Sequence, residues 1–228
     1  MTQPSACLID VYQTILSCDF SRHDREMPTL AGVSPQAWRA GIWRVGSLFN
    51  VGRLTKAQGF GQILQECGVE PRADLVRALV EADRELLLTS ARLYDDSIPF
   101  LEHLRSHDVR TAIVSNCSEH TRDLLVKLGV PELVDAVVLS CEVGAAKPSA
   151  EIFRHALGQL GVPASRALFV DDQAAFCAGA AALGISAAQI VRGELDGTDG
   201  TDGTDGKVPA AGTTMVRSLP EVEAMLWA

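Results

Sequence analysis

Four polar stations interrupt the apolar stretches of this chain: Asp10, the pair Ser115-Asn116, Lys147, and the pair Asp171-Asp172. Three of them end a short apolar run, after residues 6–9, 111–114 and 167–170. A carboxylate at the end of a buried run can serve as a nucleophile, and Asp10 is the candidate. Asp10 and Asp172, with Asp171 beside it, are oxygen donors for a Mg²⁺ ion, with the backbone carbonyl of Tyr12 as a further oxygen. Lys147 offsets charge on nucleophile and substrate, and Ser115, next to Asn116, donates to a substrate oxygen. Thr14 lies in the polar turn that follows Asp10. Taken singly these residues are ordinary, since an Asp after a strand caps turns and a lone lysine decorates a surface. Together they supply positioning and electrostatics, most of what phosphoryl transfer asks of a protein.

Residues as far apart as Asp10 and Asp172 converge if parallel strands carry them and end on one sheet edge. The pattern beyond residue 95 provides such strands. Apolar runs at 111–114, 136–139, 167–170 and 189–191 alternate with helical stretches at 99–106, 119–128, 150–160 and 174–183, and Gly129, Gly161 and Gly184 supply stops. Strict alternation predicts a parallel sheet joined by right-handed crossovers. Before residue 95 the period is helical throughout. Trp38, Ile42, Val45 and Phe49 mark 36–50; Phe60, Ile63 and Leu64 mark 55–67, capped by Thr55; Leu75, Leu79, Ala82 and Leu86 mark 72–90.

The expected fold class is therefore α/β: a parallel Rossmann-like sheet wrapped by helices, with an inserted helical cap subdomain. Residues 1–16 and 96–228 form the core domain, and residues 17–95 form the insertion. The Thr-Asp-Gly repeats within 196–212 predict a flexible solvated loop, followed by an edge strand at 213–216 and a closing helix at 219–227.

The bulk numbers close off several function classes. A formal net charge of −9 argues against the basic footprint of a nucleic-acid binder. No apolar stretch approaches the ~18 residues of a membrane span, and no basic flank precedes the first apolar run. The expectation is a cytoplasmic chain with a small-molecule substrate, no nucleic-acid partner and no membrane partner; the pattern is silent on oligomeric state. The six cysteines include no C-x-x-C pair and are read as reduced thiols, Cys117 as a packing residue.

The four stations, in this order, resemble the motifs of the haloacid dehalogenase-like (HAD) hydrolase superfamily. Asp10-Val11-Tyr12-Gln13-Thr14 is similar to its nucleophile loop, Val114-Ser115-Asn116 to its second motif, Lys147-Pro148 to its third and Phe169-Val170-Asp171-Asp172 to its fourth. The resemblance covers nearly the whole chain, and its helical cap corresponds to the insertion. It implies hydrolysis through a covalent aspartyl intermediate on Asp10, usually with Mg²⁺.

Two departures pull in opposite directions. Family phosphatases carry a general acid–base Asp two residues after the nucleophile, where this chain has Tyr12, and then a Gly, where it has Gln13. A phenol, with a pKa of about 10, is a poor base near neutrality. The 2-haloacid dehalogenases of the superfamily do have Tyr there. Yet those enzymes replace the acids of the fourth motif with serines, then place an Asn and an Asp where this chain has Gln173 and Phe176; Phe153 stands where they have a Tyr. Three readings follow. The first is a Mg²⁺-dependent hydrolase of a small phosphorylated or similarly activated metabolite. The second is a 2-haloacid dehalogenase-like hydrolase. The third is a catalytically impaired HAD fold with a binding or regulatory role. Arg39, Arg44 and Lys56 are the insertion's candidates to reach Asp10 on closure.

Overall fold

A computed structural model describes residues 4–192 and 212–227. The Thr-Asp-Gly repeats, and nearly all of the loop expected at 196–212, lie outside the described residues. In chain order, β1 (Ala6–Ile9) and a short β2 (Leu16–Cys18) precede four helices, α1 (Ser21–Ala31), α2 (Pro35–Asn50), α3 (Lys56–Glu66) and α4 (Ala73–Ser90), and then β3 (Ala91–Leu93). The second part runs α5 (Ser97–Ser106), β4 (Arg110–Ser115), α6 (Thr121–Lys127), β5 (Ala136–Leu139), α7 (Ser140–Val143) and α8 (Ala150–Leu160). It continues with β6 (Ala167–Asp171), α9 (Ala174–Ala181), β7 (Ser186–Ile190), β8 (Thr213–Val216) and α10 (Leu219–Trp227).

Six strands form one parallel sheet in the order β5-β4-β1-β6-β7-β8. This is the α/β Rossmann-like fold that the alternation predicts. β1 lies inside, so its side chains alternate between two buried faces. Cys7 and Ile9 join Ile113, Leu168 and Val170 under α5 and α10. Ala6 and Leu8 join Val114, Phe153 and Phe169 under α8 and α9. Both neighbours of β1 come from later in the chain, which makes its C-terminal end the switch point where such sheets open a crevice.

The four helices between β2 and β3 pack around an apolar cluster of their own, including Met27, Trp38, Phe49, Phe60 and Leu79. Burying each large side chain contributes about 1.5–3 kcal/mol. α3 opens with a capping box, Thr55 and Gln58 each satisfying the other's backbone N–H. Gly59 lets α2 approach closely, since a Cβ there would lie 2.2 Å from the Phe49 ring.

Two elements of this region differ from the sequence-based expectation of helices alone. β2 and β3 pair antiparallel as a separate two-stranded ribbon at its base, outside the main sheet. Three-residue strands are too short to display a period of two. α1 was not anticipated because its first six residues are polar and it buries only Met27, Pro28 and Ala31, with proline inside it.

Candidate active site

Strand register does most of the assembly. Ile9 pairs with Val170, and Asp10 N–H donates to the Val170 carbonyl at 3.0 Å, so Asp10 and Asp171 emerge side by side. On the other flank Ile9 pairs with Ile113, which brings Ser115 to the same edge. Lys147 reaches this edge from the loop before α8. Asn116 brackets the Lys147 backbone, its Nδ2 donating to the carbonyl at 2.9 Å and its Oδ1 accepting from N–H at 2.7 Å. Gly179 allows the same loop to sit down, because a Cβ there would lie 2.7 Å from the Pro148 carbonyl oxygen. Asn116 is thus spent on holding Lys147.

The Lys147 ammonium, almost wholly buried, donates to Asp10 Oδ1 at 2.5 Å and to Asp171 Oδ2 at 2.6 Å. Burial alone would lower its pKa, but the two carboxylates outweigh burial and hold it protonated. Thr14 donates to Asp10 Oδ2 at 3.3 Å. The Gln173 N–H donates to Asp171 Oδ1 at 2.8 Å, so both Asp171 oxygens are engaged. Burial, then the charge of Asp10, pushes Asp172 up to about 6. Asp171 is likewise raised by burial despite Lys147.

Oxygens of Asp10, Asp171 and Asp172 lie within 4.8 Å of one another. Octahedral Mg²⁺, with oxygens at about 2.0–2.1 Å, places its ligands roughly 3–4 Å apart, so a small contraction suits the set to that ion. Their charge asks for one as well, since three carboxylates face a single ammonium. Beside them, Ser115 Oγ is buried with no hydrogen-bond partner. An orphaned buried hydroxyl costs about 1–3 kcal/mol, which a substrate oxygen would relieve.

Tyr12 and Gln13 occupy the loop in an unusual way. The Tyr12 hydroxyl shares a hydrogen bond with Thr121 Oγ1 at 2.9 Å. Burial pushes this phenol further above its ordinary value, so it is a weaker acid than a free tyrosine. Gln13 has φ +56°, the left-handed region that costs a residue with a Cβ about 1–2 kcal/mol. Its Oε1 accepts from the Tyr94 hydroxyl at 2.8 Å.

The arginines named from sequence do not reach this edge. Arg39 is exposed, and Arg44 pairs with Glu66 on the surface. Lys56 is half-buried but bound to Asp83 at 3.1 Å. Sequence reasoning missed Arg192, just beyond β7. Its guanidinium donates to the Thr14 carbonyl at 2.5 Å and to Asp96 Oδ2 at 2.8 Å, and stacks 4.2 Å over Tyr94. No local pattern marks an arginine after a strand as the brace of a loop 178 residues earlier. A hollow of about 410 Å³ lies at the opposite, N-terminal end of β4 and holds none of these groups.

A match to the haloacid dehalogenase-like hydrolase family covers residues 4–184. The chain belongs to that family. It is 32% identical over 115 residues to the glyceraldehyde 3-phosphate phosphatase of Methanopyrus kandleri, which is 50% of this chain and 49% of that protein. It is 28% identical over 193 residues to a phosphatase of Mycobacterium tuberculosis, 80% and 85% of the two chains. The chain thus spans about half the length of the first relative and most of the second. Among solved structures, the L-2-haloacid dehalogenase of Xanthobacter autotrophicus shares the fold with a TM-score of 0.66, 18% identity and 99% of each chain covered. A HAD family enzyme of Bacteroides thetaiotaomicron, crystallised with magnesium and inorganic phosphate, has a TM-score of 0.68 and 19% identity, covering 87% of this chain and 98% of that one. This HAD hydrolase therefore has phosphatases among its sequence relatives and shares its fold with a haloacid dehalogenase. No helix among the described residues is long and apolar enough to cross a membrane.

Proposed function

We propose that this HAD hydrolase is a Mg²⁺-dependent phosphatase of small phosphorylated metabolites, with Asp10 as nucleophile. The observation that carries this reading is the charge of the site: three carboxylates within 4.8 Å and one ammonium between two of them. A haloacid dehalogenase transfers an alkyl group and has no need of so many crowded acids. A phosphoryl group arrives with oxygens that a divalent cation bridges to carboxylates.

Asp10 and Asp172 would hold Mg²⁺ with the Tyr12 carbonyl, while Asp171, engaged through both oxygens, serves chiefly to fix Lys147. Mg²⁺ would supply neutralisation of charge on the transferring group. Asp10 attacks phosphorus, the ester oxygen leaves with its electron pair, and water then cleaves the aspartyl phosphate. Lys147 stays protonated and stabilises the negative charge that gathers on the equatorial oxygens, toward which Ser115 Oγ donates. The names of the phosphatase relatives support the substrate class. Tyr12 replaces the usual acid–base Asp without matching it, because its phenol, pushed up by burial, is poorly tuned to give and take a proton near neutral pH. Substrates with good leaving groups, such as acyl phosphates, are therefore favoured.

A panel of phosphate esters, acyl phosphates and 2-haloacids, each with Mg²⁺ and with EDTA, tests this. The expected result is phosphate release that requires Mg²⁺ and is fastest from acyl phosphates. Halide release that persists in EDTA would overturn it.

A further inference from the structure

Two of the cysteines read as reduced thiols, one of them Cys117, the expected packing residue, stand in an arrangement that packing does not require. Ser115 and Leu139 are partners in the adjacent parallel strands β4 and β5, and Cys117 and Cys141 each follow two residues later. Ser140 ties the two segments together. Its Oγ accepts from Cys117 N–H at 2.9 Å and donates to the Cys117 carbonyl at 3.4 Å. The two thiols are neighbours close enough to shift each other's titration in opposite directions. Cys117 lies just past the end of β4 and Cys141 within α7, so the Ser140 bonds rather than strand pairing keep the two residues adjacent.

The pair is asymmetric. Cys117 is buried, whereas Cys141 is partly exposed and lines a cleft of about 180 Å³ with Gly52, Lys56 and Glu119. Gly52 presses against it so closely that a Cβ would lie 2.1 Å from the Cys141 carbonyl oxygen. The neighbouring Cys117 thiol lowers the Cys141 pKa, although burial and Glu142 oppose it. Burial holds Cys7, Cys18 and Cys177 above the ordinary thiol value. Thiolate character and access coincide at Cys141, as a redox-responsive cysteine requires.

From Cys117 the contacts lead to the nucleophile loop. The Cys117 thiol lies beside the Thr121 side chain, whose Oγ1 is the partner of the Tyr12 hydroxyl. Its chain neighbour Asn116 holds the Lys147 backbone.

We propose that Cys141 and Cys117 are a peroxide-responsive modification site whose disulfide displaces the Cys117–Thr121–Tyr12 contact and slows turnover. The Cys141 thiolate attacks one oxygen of a hydroperoxide. The O–O bond breaks, water or an alcohol leaves, and the sulfur is oxidised to a sulfenic acid as the peroxide is reduced. The Cys117 sulfur then attacks the Cys141 sulfur, the S–O bond breaks, and a second water departs with the Cys117 proton. Dithiol reductants reverse the linkage.

The test exposes the reduced full chain to hydrogen peroxide and follows intact mass, a non-reducing peptide map and turnover. The expected result is a loss of about 2 Da, a peptide linking Cys117 to Cys141, and reversal by dithiothreitol. Turnover should fall by the order of tenfold and recover, since shifts of about 1 Å near reacting groups cost up to ~10²-fold. The partly exposed variant Cys141→Ser should form no such link and keep its turnover in peroxide. Trapping with dimedone should label Cys141 in the wild type as the sulfenic acid forms. Oxidation that proceeds at Cys67 while Cys117 and Cys141 never link would overturn the proposal. A complete link that leaves turnover unchanged would overturn its connection to Tyr12.

Discussion

Two buried sites among the described residues set carboxylates against basic groups, and Asp83 in one is shifted opposite to Asp171 and Asp172 in the other. At the sheet edge, Asp10, Asp171 and Asp172 face Lys147, and burial raises both Asp171 and Asp172. Between the helical insertion and α6, Asp83 alone faces three basic groups: His23 Nε2 at 2.7 Å, Lys56 Nζ at 3.1 Å and His120 Nε2 at 3.8 Å. Burial would raise Asp83 too, but His23 and Lys56 outweigh it and hold the carboxyl below its usual range. Both clusters are buried, and both pair a lysine with a carboxylate. What separates them is charge balance. Asp83 has a lysine and two imidazoles around one carboxylate, with His120 Nε2 making no hydrogen bond there, whereas the sheet-edge cluster sets three carboxylates against one ammonium beside the unpartnered Ser115 hydroxyl. Perturbed acids without enough cations mark a place where a ligand belongs.

The comparison breaks most visibly by neutralising one acid in each cluster. Asp10→Asn should abolish turnover, on the order of 10⁴-fold or more, as removal of a nucleophile does. Its thermal stability should hold or rise, because one of three crowded charges is gone. Asp83→Asn should do the reverse, keeping turnover within a few-fold while losing about 3–5 kcal/mol by stranding buried cations. Steady-state kinetics and thermal melts of both variants check this. An Asp83→Asn protein that melts normally but has no activity would make the insertion's cluster part of the chemistry.

Tyr12→Asp comes next in size. If the sheet edge is a phosphatase lacking its acid–base group, hydrolysis of alkyl phosphates should rise by ~10²-fold. Acyl phosphates, which leave without protonation, should gain little. A fall in halide release from 2-haloacids would instead favour the dehalogenase reading. Near-zero hydrolysis of every phosphate by the folded variant would favour a binding role.

A smaller effect should appear in pH. Proton and Mg²⁺ compete for Asp172, so Mg²⁺ affinity measured by calorimetry should weaken as pH falls through about 6, approaching tenfold per unit below it. The sign for stability is opposite without metal. An acid raised in the folded state destabilises it at neutral pH, and that cost is relieved as pH falls through about 6 toward the ordinary carboxylate range. Melting in EDTA should therefore show a gain from this group on mild acidification, and Mg²⁺ should erase it. Asp83, held low, contributes the reverse dependence.

The least effect is expected at Gln13→Gly. Relief of the left-handed backbone, about 1–2 kcal/mol, is offset by loss of the Tyr94 bond and by a more flexible unfolded chain. A change in melting equivalent to under about 1 kcal/mol is the expectation.

Much of this was legible in the chain itself, for a physical reason. Residues 6–9, 136–139, 150–160 and 213–216 are local patterns, and an apolar run or a 3.6-residue stripe needs only its own neighbours to be recognised. Motif order then placed Asp10, Ser115 and Asp171-Asp172 at strand ends and Lys147 in a loop after one, and parallel topology implied their convergence. The ribbon of β2 with β3 left no such trace, since three residues carry no period and only pairing across the helices between Cys18 and Ala91 makes them strands. Nor could spacing show that Asn116 is consumed by the Lys147 backbone, that Arg44 turns to Glu66 while Arg192 braces Thr14, or that Cys117 meets Cys141. Each of these is a contact between groups distant in sequence. Residue types state which charges and hydroxyls are available; packing alone decides which of them find partners, and so which are left over for a ligand.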